Sequence, residues 1–241
     1  ASDMMGVEDG GLLLRELEKV WLHSAKVARK AKMQQQGEAA FLAAGNGPEV
    51  FVERAKWSWL KGDKPQAVAI VKKGLTTHFP DRSSYKTDQS DRTLADRQAC
   101  ARAQLLLAQY SEEPATLDVN SMMLCYREAS EINKGSEDGH FHFAMYLERI
   151  SSYRRENSVD YQYHIVVSLS KALACGNKHI YQSLPRMLSI WLEVGSLVAN
   201  QESTPKKIPA NRLPIINEKL QQMNKLMGEL CSTLQLYQLM T

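Results

Sequence analysis

The chain has 241 residues, 44% apolar and 24% charged, the balance of an ordinary globular protein with enough length to bury a core. A net charge of +3 argues against a dedicated nucleic-acid binder, and no apolar run approaches the ~20 residues that span a bilayer. The four cysteines, Cys100, Cys125, Cys175 and Cys231, are scattered without a C-x-x-C pair, which reads as a reduced intracellular protein with small buried hydrophobes and excludes a disulfide framework or zinc site.

Residues 1–11 carry Asp3, Glu8 and Asp9 with no basic leader, and are expected to form a flexible N-terminal segment. Leu13, Leu14, Leu17, Val20, Trp21, Ser24, Ala25 and Ala28 then recur at three- and four-residue steps, predicting a helix from Leu12 to Lys32 with these residues on one face. Gly37 is expected to break the chain before a short helix from Glu38 to Ala44, closed by Gly45-Asn46-Gly47. Pro48 opens a helix to about Lys61, Gly62-Asp63 makes a turn, and Pro65 starts a partner helix with Ala67, Ile70, Val71 and Leu75 on one face. The polar interval 80–92 reads as an exposed loop.

Further helices are predicted at Leu94–Tyr110, Leu117–Ile132, Asp138–Tyr153, Val159–Cys175 and Pro185–Ala199, followed by a second exposed loop near 200–212. Leu184, Leu188, Trp191, Leu192 and Gly195 form the apolar pattern around Pro185, which marks a helix start or a kink. A last helix runs from Ile215 to Met240, with a break expected near Gly228 or Ser232. An initial Ala and a final helix without a stop signal suggest a piece truncated at both ends.

No segment alternates with period two, so the expected class is all-α. Helices of this length joined by short turns predict an α–α superhelix, with 12–241 a single solenoid of degenerate tetratricopeptide-like hairpins. Ala55-Lys-Trp57-Ser-Trp59-Leu-Lys-Gly62-Asp63, with Gln66-Ala67 and Gly74-Leu75, is the repeat in its clearest form. There a large residue of the first helix is expected to pack over the Gly turn and a small Ala of the second.

Chemical motifs are sparse. Phosphate-cradling loops, nucleophile elbows and H-E-x-x-H are all missing from the sequence. Asp138-Gly139-His140-Phe141-His142-Phe143 is a near miss to the D-x-H-x-x-N catalytic loop, but Phe143 stands where a metal-binding Asn is needed and no Asp-Phe-Gly follows. His140 and His142 on a helix point about 200° apart and cannot share one ion, so Asp138 reads as a residue near an N-cap. Lys26, Arg29, Lys30 and Lys32 read as a solvated helix face. Trp21, Trp57, Trp59 and Trp191 read as core anchors, although Trp57 and Trp59, two apart, face different sides, leaving one to be covered by neighbouring structure in a longer chain.

Three ordered strings carry a family resemblance: Phe51-Val-Glu-Arg-Ala-Lys-Trp57 with Lys61-Gly-Asp63 and Gln66-Ala67, Glu137-Asp-Gly-His-Phe141 with Ala144 and Tyr146, and Gly176-Asn177-x-x-Ile180-Tyr-Gln-Ser183-x-Pro185-Arg-Met-Leu188-x-x-Trp191-Leu192. They resemble the FAT region of phosphatidylinositol-3-kinase-related protein kinases, the last string most closely that of ATR-type DNA-damage checkpoint kinases. The resemblance covers roughly Val50 to Val194.

It implies a helical scaffold around the kinase domain of a nuclear serine/threonine kinase that signals DNA damage and replication stress and uses ATP with Mg or Mn. The fragment itself would be non-catalytic, with no catalytic, cofactor or metal residues. Its expected partners are the kinase domain, neighbouring helical repeats and an ATR-interacting subunit, with self-association through uncapped ends and no direct nucleic-acid or membrane binding. Two other readings remain at this stage. One is a free-standing tetratricopeptide-like adaptor for partner peptides. The other is an all-α enzyme or metal protein using His140, His142, His164 and Cys175, whose spacing is unsuitable.

Overall fold

A computed structural model describes residues 3–87, 94–112, 118–153, 158–200 and 212–240, with side chains defined between Leu13 and Ser232 except those of Arg15, Tyr153 and Ser158. Every regular element among the described residues is a helix: α1 Asp3–Lys30, α2 Gln34–Ala43, α3 Val50–Leu60, α4 Lys64–His78, α5 Ser84–Thr87, α6 Leu94–Glu112, α7 Val119–Ile132, α8 Glu137–Tyr153, α9 Ser158–Cys175, α10 Ile180–Ala199 and α11 Leu213–Met240. The all-α class and the helical-hairpin architecture follow, since consecutive helices pack as pairs: α1 on α2, α3 on α4, α7 on α8, α8 on α9, and α9 on α10. Contacts gather in two units, Ala1–Asp118 and Val119–Thr241. The predicted loop near 200–212 falls almost wholly outside the described residues.

In the first unit Leu22, Ala25, Ala40, Phe41, Ala44, Val50 and Trp57 form one apolar cluster. The chain breaks after α1 at Lys32, not at Gly37. Lys32 takes a left-handed φ of 59°, its N–H donates to the Arg29 carbonyl, and the Met33 N–H donates to the Ala28 carbonyl. That is a Schellman stop with lysine in the position glycine usually fills. Gly37 lies inside α2 because Trp57 needs its space: a Cβ there would sit 2.5 Å from the indole. Trp57 therefore docks on the preceding hairpin, edge-on to Phe41 at 5.8 Å, instead of packing over the Gly62 turn. The ring of Phe51 fills the place of a Cβ on Gly74, closing α3 against α4.

Trp59 is covered within the chain. Its ring stacks on Tyr110 of α6 at 3.9 Å, and the Lys64 ammonium lies 5.4 Å from the centroid of the ring. The basic residues after Trp21 are only partly solvated: Lys26 pairs with Glu49 at 3.3 Å and Arg29 with Glu53 at 3.1 Å, tying α1 to α3. Glu53 is buried, and Lys56 joins it at 2.7 Å. Burial alone raises the Glu53 carboxyl pKa, but the Lys56 hydrogen bond and the charges of Lys56, Arg29 and Lys26 outweigh it and hold it below the ordinary carboxylate value.

The second unit is built on Phe141, Ala144 and Leu147 of α8, Ile165, Val166, Leu169 and Ala172 of α9, and Met187, Ile190 and Val194 of α10. The buried face of α10 is thus Ser183, Met187, Ile190 and Val194, whereas Leu188 and Leu192 of the predicted face are exposed. Both sides of this helix are apolar, so periodicity does not choose between them. The helix starts at Ile180, ahead of Pro185, which stands inside it. Tyr181, whose carbonyl loses its partner to that proline, is 92% exposed, so water can satisfy it. Helix α11 runs unbroken through Gly228 and Ser232. Of the cysteines only Cys100 is buried; Cys125 and Cys175 are half-buried, Cys231 is exposed, and none is in a disulfide.

Candidate functional site

A polar and aromatic cluster among the described residues of the second unit joins the start of α8 to the turn between α9 and α10. Ser136 caps α8, its hydroxyl accepting the Gly139 N–H at 3.2 Å. This frees Asp138 from the capping role expected of it. Its carboxylate instead accepts from Lys178 Nζ at 2.8 and 3.0 Å and from His179 Nε2 at 2.7 Å. The neighbouring carboxylate, Glu137, accepts the backbone N–H of His179 at 2.7 Å. The imidazole of His179 lies flat on Phe141, centroids 3.9 Å apart, and His142 meets it edge-on at 6.0 Å.

Each contact has a local cause. Glu137, Asp138 and Phe141 stand at i, i+1 and i+4, so one turn of α8 presents a carboxylate to the backbone N–H, a carboxylate to the imidazole and an aromatic face to the same partner. Two acidic residues in the first turn also suit the positive end of the helix dipole. Gly176 admits the clamp: a Cβ there would occupy the place of the Glu137 carboxylate. Burial raises the Asp138 pKa, but the hydrogen bonds and charges of Lys178 and His179 more than offset it, so the carboxyl sits below its ordinary value. Burial lowers the pKa of His142, against a smaller opposing pull from Asp138.

The other histidines and Cys175 do different work. His140 is buried, its Nε2 bonded to the Lys134 carbonyl at 3.0 Å, and burial lowers its pKa. Cys175 Sγ donates to that same carbonyl at 3.3 Å, so both residues secure the end of α7. His164 is exposed on α9, away from these two. Among the described residues no group of three or more His, Cys, Asp or Glu side chains is placed to hold a metal ion. No described helix is long and apolar enough to cross a membrane.

Lys178 and His179 escaped notice in the sequence because their function depends on a partner about forty positions away in the chain. They are the two unspecified positions of the string Gly176-Asn177-x-x-Ile180, flanked by the glycine that makes room for the clamp.

The family model of the FAT domain matches residues 10–189. The chain is 30% identical over 203 residues, 80% of its length, to the serine/threonine-protein kinase ATR of Drosophila melanogaster. It is 22% identical over 199 residues to protein kinase rad3 of Schizosaccharomyces pombe, and 22% identical over 232 residues to the ATR kinase of Arabidopsis thaliana. The chain belongs to the FAT domain family, in the form carried by ATR-type phosphatidylinositol-3-kinase-related kinases. It spans 8% of the length of these three relatives. No solved structure matches it at a significant level.

Proposed function

We propose that this chain is a non-catalytic scaffold and regulatory segment of an ATR-type serine/threonine kinase that signals DNA damage and replication stress in the nucleus. The observation that carries the reading is the FAT domain match over residues 10–189 together with 30% identity over 203 residues to a kinase named ATR. In this reading the helical hairpins support the kinase domain and adjoin the neighbouring helical repeats of the parent chain, with an ATR-interacting subunit in the assembly. ATP and its Mg or Mn belong to the kinase domain. No contact with nucleic acid by this segment is required.

The mechanism is positional. Stacked hairpins convert small rotations between neighbours into displacement along the array. A scaffold whose contacts differ between two states of the kinase biases their populations by that difference. The clamp of Glu137, Asp138 and Phe141 on His179 sets the angle at which α10 leaves α9, which makes it the point in the second unit where such a rotation is held.

The test is capture of the separately expressed parent kinase domain by the purified chain, alongside an assay of the chain alone with ATP and Mg or Mn. Retention of the kinase domain without phosphoryl transfer by the chain alone is expected. Phosphoryl transfer by the chain alone overturns the reading.

A further inference from the structure

Helix α10 has two apolar sides. Ser183, Met187, Ile190 and Val194 face the core of the second unit. The opposite side carries Tyr181, Pro185, Leu188, Leu192, Gly195 and Ala199 at steps of four, three, four, three and four, a coiled-coil seam centred on the direction away from Ile190. The seam faces water: Tyr181 is 92% exposed, Leu192 60% and Leu188 38%. Both charged residues of the helix lie away from it, roughly 120–140° round the axis. They are engaged there, Arg186 with Glu148, and Glu193 accepting from Gln162 Nε2 and Ser189 Oγ, each at 3.0 Å. A helix apolar on both sides is one that is covered on both.

Side-chain size says what fits the seam. It is bulky at its start, with Tyr181 and Pro185, and small at its end, with Gly195 and Ala199. A Cβ on Gly195 would meet nothing within 4 Å. At the same small end a groove opens, lined by Leu192, Ser196, Leu197 and Asn200 among others. The occupant must taper the other way, with a large side chain to seat in the groove and small ones to receive Tyr181. A second α10 running antiparallel has that taper: Tyr181 meets Ala199, Pro185 meets Gly195 and Leu188 meets Leu192, each pair evenly spaced about Ile190. No charge enters the seam, so like-charge repulsion does not oppose the pairing.

We propose that the outer face of α10 is an interface between two copies of this chain, the helices antiparallel across a two-fold axis level with Ile190. The Tyr181 ring of each copy seats over the partner's Ala199, where Ser196 and Asn200 at the groove offer polar groups to its hydroxyl. The contact is isologous and closes as a dimer. A single helix pair is at the small end of interface sizes, which sets a Kd on the order of 10–100 µM. The inference stands independently of the kinase reading.

Sedimentation equilibrium of the purified chain from about 1 to 500 µM tests this. A monomer–dimer equilibrium is expected. Tyr181→Ala should weaken it at least about tenfold and, at so exposed a position, leave the melting temperature of the dilute monomer unchanged. Gly195→Leu separates fit from mere stickiness. Its side chain enters open space in one copy but takes the place of the partner's Pro185, so it too should weaken association. Oxidation of a mixture of Tyr181→Cys and Ala199→Cys chains is expected to join the two beyond the wild-type background. Ala199→Cys by itself is expected not to cross-link, its thiols being about 27 Å apart along the axis. A wild-type chain that stays monomeric throughout leaves the face to a different helix and overturns the proposal. Association unchanged or strengthened by Gly195→Leu, or cross-linking of Ala199→Cys with itself, overturns it equally.

Discussion

The imidazole of His179 lies parallel to the ring of Phe141, their planes 1° apart, while its Nε2 reaches Asp138. One residue of the α9–α10 turn is thereby held by an aromatic face and a carboxylate from a single turn of α8. His179→Ala removes both contacts and is expected to cost about 1–2 kcal/mol. Lys178→Ala removes only an exposed ion pair and is expected to cost less than about 1 kcal/mol. Urea unfolding followed by far-ultraviolet circular dichroism measures both, and equal costs would contradict a clamp centred on His179.

Glycine substitutions separate close approach from mere helix interior. Gly37→Ala drives a methyl into the Trp57 indole and is expected to destabilise by about 1–3 kcal/mol. Gly228→Ala in α11 meets nothing within 4 Å and is expected to stabilise by about 0.5–1 kcal/mol. Opposite signs in thermal melts are the expected outcome.

At the end of α1, Lys32 holds a left-handed backbone at φ 59°. Lys32→Gly relieves the steric cost of a Cβ there and is expected to stabilise by about 1 kcal/mol. Loss of stability in the same melts would show that the lysine side chain contributes more than its backbone costs.

Glu53 is a buried carboxylate of the first unit, and its folded pKa lies below its unfolded value. A depressed carboxylate contributes stability above the unfolded pKa, near 4.3, and loses it as pH falls through the folded value. His140 and His142 act in the same direction from higher pH: their lowered folded pKa values mean that the unfolded chain takes up protons first, below about 6.5. Stability should therefore decline in two stages on acidification. Glu53→Gln should flatten the lower one while costing about 1–3 kcal/mol at neutral pH, because the half-buried Arg29 and Lys56 lose a charged partner. A melting temperature constant between pH 7 and 4 contradicts this.

The helices were legible because apolar spacing and turn residues report on local structure. The α3–α4 hairpin is the clearest case, with Gly62 at φ 88° and Asp63 capping α4 through the Gln66 N–H. Face assignment failed in part where both sides of a helix are apolar: Leu13, Leu17 and Val20 are read on one face with Ala25 and Ala28, yet only the two alanines of that set pack inward, together with Leu22 from outside it. Gly37 was read as a breaker because its partner, Trp57, lies twenty residues on. Lys32 gave no stop signal since any residue can be forced left-handed by the bonds around it. The clamp itself was visible only as its two ends, Glu137-Asp138 and Gly176, and pairing them requires the hairpin that brings α8 to α10.

Regulation of a kinase by this FAT segment through the angle between α9 and α10, as proposed, is tested directly by Gly176→Ala. The added methyl would overlap the Glu137 carboxylate and is expected to displace it from the His179 N–H. Introduced into the parent kinase, it is expected to change the rate of peptide phosphorylation by about fivefold or more, the scale of a coupling of 1–3 kcal/mol. Unaltered phosphorylation, with loss of the Glu137 contact verified by faster amide exchange at His179, would contradict the account.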